Sequence, residues 1–289
     1  MYYSPLRYPG GKAKLAPFMG YIIKKLNLTK GTYIEPFAGG AGIAIELLLS
    51  DKVGHIVIND YDKAVASFWR AATDNTDCLI EKMYNTPITI EEWYKQRTIL
   101  LNSNSMSFEL GFATFFLNRT NRSGILKGGP IGGKNQDGEW RLDARFNKPA
   151  LEKRLVNIGE RRKDITVYNQ DVSCLIKKYI PRFGDSSLIY FDPPYYEKGS
   201  GLYMNYFNYN DHLRIERDIR NYVKCKWIIT YDNVDEIHRI YDGYKIKTFS
   251  LDYCAASRRS ASELMIFSDP KMCPTNKMLS KSDIEFSFQ

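Results

Sequence analysis

Apolar positions in the first sixty residues follow two different periods. Leu15, Phe18, Met19, Ile22, Ile23 and Leu26 recur every three or four residues and predict a helix from Lys12 to Leu26. GTYIEPFAGGAGIAIELLLS (31–50) then reads as a short strand, a glycine turn and a helix. HIVIND (55–60) reads as a second strand ending in an acid, and a helix through DKAVASFWRAA follows. Strand, turn, helix, strand is the rhythm of a parallel α/β sheet.

The rhythm changes after residue 74. As far as residue 120 the pattern is helical without strands, as in TIEEWYKQRTILLN and SFELGFATFFLNRT. NRSGILKGGPIGGKNQDGEW (121–140) is too rich in glycine to be regular, and so long a loop in a compact domain is usually functional or disordered. KPALEKRLVNIGERRK (148–163) is again helical. Strands resume at DITVYN (164–169), SLIYF (187–191), CKWIITYDN (225–233) and ELMIF (263–267), with a helix over DVSCLIKKYI. The expected architecture is an α/β domain in two pieces, 1–61 and 163–270. A mostly helical insertion, 62–162, interrupts it, and a tail without strong pattern, 271–289, follows.

Charge sharpens the picture of the insertion. The formal net charge is +8, and between Arg119 and Lys163 twelve Lys and Arg stand against five Asp and Glu. A charge run is usually a solvated face, but this one is interleaved with asparagine, glycine and aromatic residues, which makes a polyanionic partner a serious candidate. Five scattered cysteines without a CxxC pair, and three isolated histidines, argue for reduced thiols in a cytoplasmic setting and against a metal site. No apolar run approaches a membrane span, and MYYSPLRYPGGKAK lacks the apolar core of a secretory signal.

Three motifs carry candidate chemistry. EPFAGGAG after the first strand lets backbone approach a ligand at a helix N-terminus, although it lacks full GxGxxG spacing. Asp60, ending the next strand, suits either a ribose hydroxyl or a helix N-cap, and the upstream glycine motif favours a nucleoside ligand. RYPGGKAK has neither the spacing nor the preceding strand of a phosphate loop, so an NTPase is rejected and a helix cap remains. In LIYFDPPYYEKG (188–199), the proline after Asp192 keeps that acid extended in line with its strand. Pro193 and Pro194 have no N–H, leaving carbonyl oxygens as the polar groups there. Asp192 and a proline carbonyl thus make two adjacent acceptors, with Tyr195 as a flat wall. That set suits an exocyclic amine on a planar ring. Tyr195 taken alone is as readily a packing aromatic.

EPFAGGAG, then FFLNRTNRSGI, then DPPY, with RYPGGK near the N-terminus, resembles the Dam-like (class alpha) DNA adenine-N6 methyltransferases in motif content and order, as far as about residue 268. The resemblance implies a Rossmann-like S-adenosylmethionine-dependent methyltransferase sheet with an inserted DNA-recognition domain. It implies cofactor contacts at Tyr8, Lys12, Glu35, Phe37, Gly39, Asp60 and Asp192; Tyr8 stands where members often carry Trp. Asp171 is either a further cofactor contact or a helix N-cap. Catalysis falls to Asp192, Pro193, Pro194 and Tyr195, acting on a base flipped out of double-stranded DNA.

The insertion implies DNA contacts at Asn118 and Arg119 near the junction, at Asn121, Arg122 and Ser123, at Lys127 and Lys134, and at Arg141 and Arg145. Arg258 and Arg259 are either a late loop at the DNA or a surface hairpin. A cognate restriction endonuclease is a possible partner, and no membrane is implied. Alternatives are N4-cytosine methylation, whose target is a similarly conjugated amine, and an inert DNA-binding relative.

Overall fold

The computed structural model describes residues 3–7, 12–196, 207–251, 261–276, 279 and 288. Seven strands among these form one sheet: β1 (Thr32–Glu35), β2 (His55–Asn59), β3 (Ile165–Tyr168), β4 (Ser187–Phe191), β5 (Lys226–Asp232), β6 (Lys245–Leu251) and β7 (Ala261–Phe267). Their order is β3-β2-β1-β4-β5-β7-β6, with β1 to β5 parallel and β7 antiparallel to both neighbours. The strand order reverses between β1 and β4, and ligands of open α/β sheets bind beyond the strand C-termini at such a point.

Alternation along the strands feeds two cores, one on each face. Tyr33, Ile56, Ile58 and Leu188 point to the face covered by α1 (Ala16–Lys25), α2 (Gly42–Leu49) and α3 (Lys63–Asp74). Ile34, Val57, Ile189 and Phe191 point to the other face, covered by the helical segment from Val172 to Tyr179, by α9 (Tyr209–Tyr222) and by α10 (Asp235–Ile240). The segment's first turn, Val172–Cys174, is α8 and continues as a π-turn.

Between β2 and β3 the chain forms α3, α4 (Thr76–Asn85), α5 (Ile90–Asn102), α6 (Phe108–Thr120) and α7 (Lys148–Glu160), without a strand. These helices have no core of their own. Phe68, Trp69, Phe112, Phe115, Phe116, Leu155 and Ile158 belong to the same buried cluster as Tyr33 and Ile56. The closest approach is at Gly111, where a Cβ would lie 2.5 Å from the Ser67 carbonyl oxygen, so α6 can sit against α3 only with glycine there.

Three features depart from expectation. β6 was not anticipated. The glycine-rich loop is ordered as a hairpin: Ile131 donates to the Thr120 carbonyl (2.8 Å), Arg122 donates to that of Gly129 (3.0 Å), and Asn121 and Pro130 form an antiparallel bridge. Within the segment expected to carry no strong pattern, Met272, Leu279 and Phe288 are buried in the first core. Phe288 packs edge-on against Phe18 and Phe267, so apolar side chains too sparse to make a pattern still cover the sheet. Among the described residues no helix is long and apolar enough to cross a membrane.

Candidate active site

β4 is buried at every position, and the chain leaves it on Asp192 at the C-terminal edge of the sheet. Asp192 is not alone there. Lys12, just before the first helical turn, lies with its side chain 1% exposed and forms an ion pair with Asp192 Oδ1. The Lys12 ammonium also donates to Thr230 Oγ1 (3.2 Å) and stands 3.5 Å from Glu263 Oε2. Thr230 gives its single hydroxyl proton to Asp192 Oδ1 (3.1 Å), which leaves its oxygen to accept from the Tyr190 hydroxyl (2.7 Å). Burial, reinforced by the charge of Asp192, holds the Tyr190 phenol well above its ordinary pKa, so it remains a donor.

The residues after Asp192 are pinned from β5 and β7. The Tyr195 hydroxyl donates to Glu263 Oε1 (2.9 Å), and the Lys12 ammonium lies 4.9 Å from the centre of the Tyr195 ring. The Tyr196 amide donates to Asp232 Oδ1 (2.9 Å). Pro193 is buried, while Pro194 and Tyr195 are half-buried.

A second group of carboxylates lies at the ends of β1 and β2. Glu35 Oε1 accepts from the Ala44 amide (3.0 Å) in the first turn of α2. Burial nevertheless dominates and raises its carboxyl to about 8, with the charge of Asp192 pushing the same way. Asp60 Oδ2 accepts from the Gly39 amide (2.9 Å) and Oδ1 from that of Asp62 (2.9 Å); burial raises it to about 7 despite both bonds. Asp60 is therefore not the cap of α3, a role taken by Asp62, which accepts from Ala64. Gly39 has φ of 46°, and its carbonyl accepts from the Trp69 indole (2.9 Å), so α3 braces the glycine turn. Phe37 is half-buried beside them. Asp171 caps the helix beginning at Val172. Tyr8, Arg258 and Arg259 lie outside the described residues.

The D12 class N6 adenine-specific DNA methyltransferase family matches residues 8–253. The chain belongs to this family. The Type II methyltransferase M.MjaIII of Methanocaldococcus jannaschii is 26% identical to it over 268 residues, covering 84% of this chain and 89% of that protein. The Type II methyltransferase M1.LlaDCHI of Lactococcus lactis subsp. cremoris is 24% identical over 280 residues, covering 88% and 90%. Among solved structures, the rRNA methyltransferase aviRa from Streptomyces viridochromogenes aligns over 87% of this chain and 84% of its own at 12% identity, with a TM-score of 0.33.

In this D12 class methyltransferase, three of the expected DNA contacts need correction. Asn118, Arg119 and Asn121 end α6 inside the protein. Asn118 accepts from the Arg7 amide (2.7 Å) and donates to the carbonyls of Arg7 (2.7 Å) and Gly124 (2.9 Å). Arg119 donates to the Arg145 carbonyl (2.8 Å) and that of Pro5 (3.4 Å). Asn121 accepts from the Trp93 indole (2.7 Å) and donates to the carbonyls of Ile125 (2.8 Å) and Leu126 (3.0 Å). Their polar atoms brace the hairpin and the N-terminal segment instead of facing outward. Arg122, Ser123, Lys127, Lys134, Arg141 and Arg145 are exposed.

Sequence reasoning passed over Tyr190, Thr230, Asp232 and Glu263. Polar residues at alternate positions of the apolar strand WIITYD, facing the site, were the available signal for Thr230 and Asp232.

Proposed function

We propose that this enzyme transfers a methyl group from S-adenosylmethionine to the N6 amino group of an adenine flipped out of duplex DNA against Asp192, Pro193, Pro194 and Tyr195. The observation that carries the reading is the state of Asp192. Among the described residues both of its side-chain hydrogen bonds fall on Oδ1, and its side chain is 26% exposed, so Oδ2 is the oxygen turned to a substrate. That oxygen and the Pro193 carbonyl accept the two amino hydrogens. They draw the nitrogen lone pair out of conjugation with the ring, and the Tyr195 face stacks on the base. The lone pair would then take the methyl group that the cofactor supplies when bound, and N6 would shed one of its protons to solvent. Fixing the amine at the cofactor's edge of the sheet makes this step effectively unimolecular.

The residues present suit the cofactor. Its ribose hydroxyls and its ammonium call for hydrogen-bond acceptors, and the carboxyl oxygens of Glu35, Asp60 and Asp192 supply these at the ends of three adjacent strands. Phe37 and the backbone at Gly39 would complete the site, with Asp171 at its rim. When bound, the cofactor supplies an electrophilic methyl group. Lys12, by contrast, is committed to Asp192 and acts on the amine side.

The helical segment 62–162 serves as the target-recognition domain. Its exposed Arg122, Ser123, Lys127, Lys134, Arg141 and Arg145 face the duplex, where phosphate contacts position and base contacts specify. We place the enzyme in the cytoplasm with a cognate restriction endonuclease, a reading supported by the type II designation of both relatives. The test is incubation with unmethylated duplex DNA and S-adenosylmethionine, followed by nucleoside mass spectrometry. N6-methyladenine is expected. N4-methylcytosine would overturn the base assignment, and no methylated base would overturn the reading.

A further inference from the structure

Glu263 belongs to β7, far along the chain from DPPY, and reaches the site through an antiparallel register that sets it opposite Asp232 of β5. It is 2% exposed, and a carboxylate is rarely so deeply buried without a purpose for its charge. Its two oxygens engage the two halves of the amine pocket. Oε1 accepts from the Tyr195 hydroxyl at 2.9 Å, and Oε2 stands 3.5 Å from the Lys12 ammonium that pairs with Asp192.

We propose that Glu263 is a positioning residue for methyl transfer, tethering the Tyr195 ring by its hydroxyl and dividing the charge of Lys12 between two carboxylates. The inference rests on the reading of DPPY as the amine pocket. Two consequences follow from the geometry. Tyr195 lies beyond two prolines on a chain leaving the sheet, and a hydrogen bond at the tip of its ring fixes the plane on which a base would stack. The second consequence is electrostatic. N6 gains positive charge as it attacks, and a Lys12–Asp192 pair on its own would be neutral as a unit. With Glu263 sharing the ammonium, Asp192 keeps negative charge to set against the developing cation, in a preorganised and water-poor place where such charge counts most.

The test is Glu263→Gln, which keeps an acceptor for the Tyr195 hydroxyl and removes only the charge, measured beside the wild type. Single-turnover methyl transfer is followed together with dissociation constants for duplex DNA and S-adenosylhomocysteine, and with the melting temperature. The expected result is a single-turnover rate lower by at least about tenfold, with both dissociation constants within about twofold of wild type. A wild-type rate overturns the proposal, and so does a rate loss matched by equal loss of DNA or cofactor binding. Should the Gln variant melt early, Tyr195→Phe probes the same link from the other side. It keeps the ring and loses the tether, so it should lower kcat while leaving KM for DNA unchanged; a wild-type kcat refutes the tether. If the wild type itself makes no N6-methyladenine, the functional reading has failed and not the role of Glu263.

Discussion

Replacing Glu35 by Gln should change how stability depends on pH, in a direction fixed by burial. In the folded chain this carboxyl titrates at about 8, because burial penalises its charged form more than the Ala44 amide favours it. In the unfolded chain it titrates near the ordinary value of about 4.3. Between these two values the native state holds a proton that the unfolded state has lost. Its contribution is therefore complete below the unfolded pKa and is lost as pH rises through the folded one. The slope for one such group is about 1.4 kcal/mol per pH unit. Glutamine keeps the oxygen that accepts from Ala44 and does not titrate, so groups common to both proteins cancel in the difference. From pH 5 to pH 8 the stability of Glu35→Gln relative to wild type should rise by on the order of 3–4 kcal/mol. At about 2 °C per kcal/mol for a chain of this size, that is a gap in melting temperature widening by roughly 6–8 °C. Calorimetric melts of both proteins at pH 5, 6, 7 and 8 measure it. Parallel curves across that range would refute the argument, because they would mean that Glu35 is ionised in the fold.

Asp192→Ala should lower methyl transfer by more than about 100-fold while duplex binding changes little, as read by product formation and a gel-shift titration. A near wild-type rate would reject the acceptor pair. Substituting Lys127 and Lys134 together by alanine should weaken binding to all sequences alike and reduce the slope of log K against log salt by about 2. Altered sequence preference at an unchanged slope would instead make them base readers. Asn121→Ala strands the Trp93 indole and two hairpin carbonyls and should cost about 3 kcal/mol. Chemical denaturation would register that loss, and limited proteolysis should cut first within residues 122–140. An unchanged midpoint would show that Asn121 does not brace the hairpin.

The sheet was readable where strands are buried on both faces. β2, β4 and β5 announce themselves as apolar runs, whereas β6, at the edge, carries Lys245 and Lys247 among its apolar residues and gives no such run. The candidate site was readable where it is local: a glycine turn after one strand, an acid and two prolines after another. Glu263 could not be found that way, because only the antiparallel pairing of β5 and β7 brings it to Tyr195. Asn118 and Asn121 mislead for a different reason. Asparagines in a basic segment read as solvent-facing, and nothing in the letters distinguishes an exposed amide from one whose hydrogen bonds are met inside.

That misreading exposes how the hairpin over residues 121–131 is held to the candidate site. Asn118, in the last turn of α6, grips both the amide and the carbonyl of Arg7 and also the Gly124 carbonyl at the hairpin's first turn. At Gly124, φ is 75° and a Cβ would lie 2.3 Å from the Arg7 carbonyl oxygen, so the hairpin and the N-terminal segment touch backbone to backbone. Arg119 holds the Pro5 carbonyl, and Arg154 of α7 holds that of Ser4 (2.8 Å). The same N-terminal segment delivers Lys12 to Asp192 five residues after Arg7. Side chains expected at DNA are thus used to fasten the segment of chain that carries Lys12. Because the helices between β2 and β3 also share the core of the sheet, the hairpin and the candidate amine pocket are built on one packed body. Their spacing is therefore set by the fold before any DNA arrives, which is what the proposed transfer to a flipped base requires.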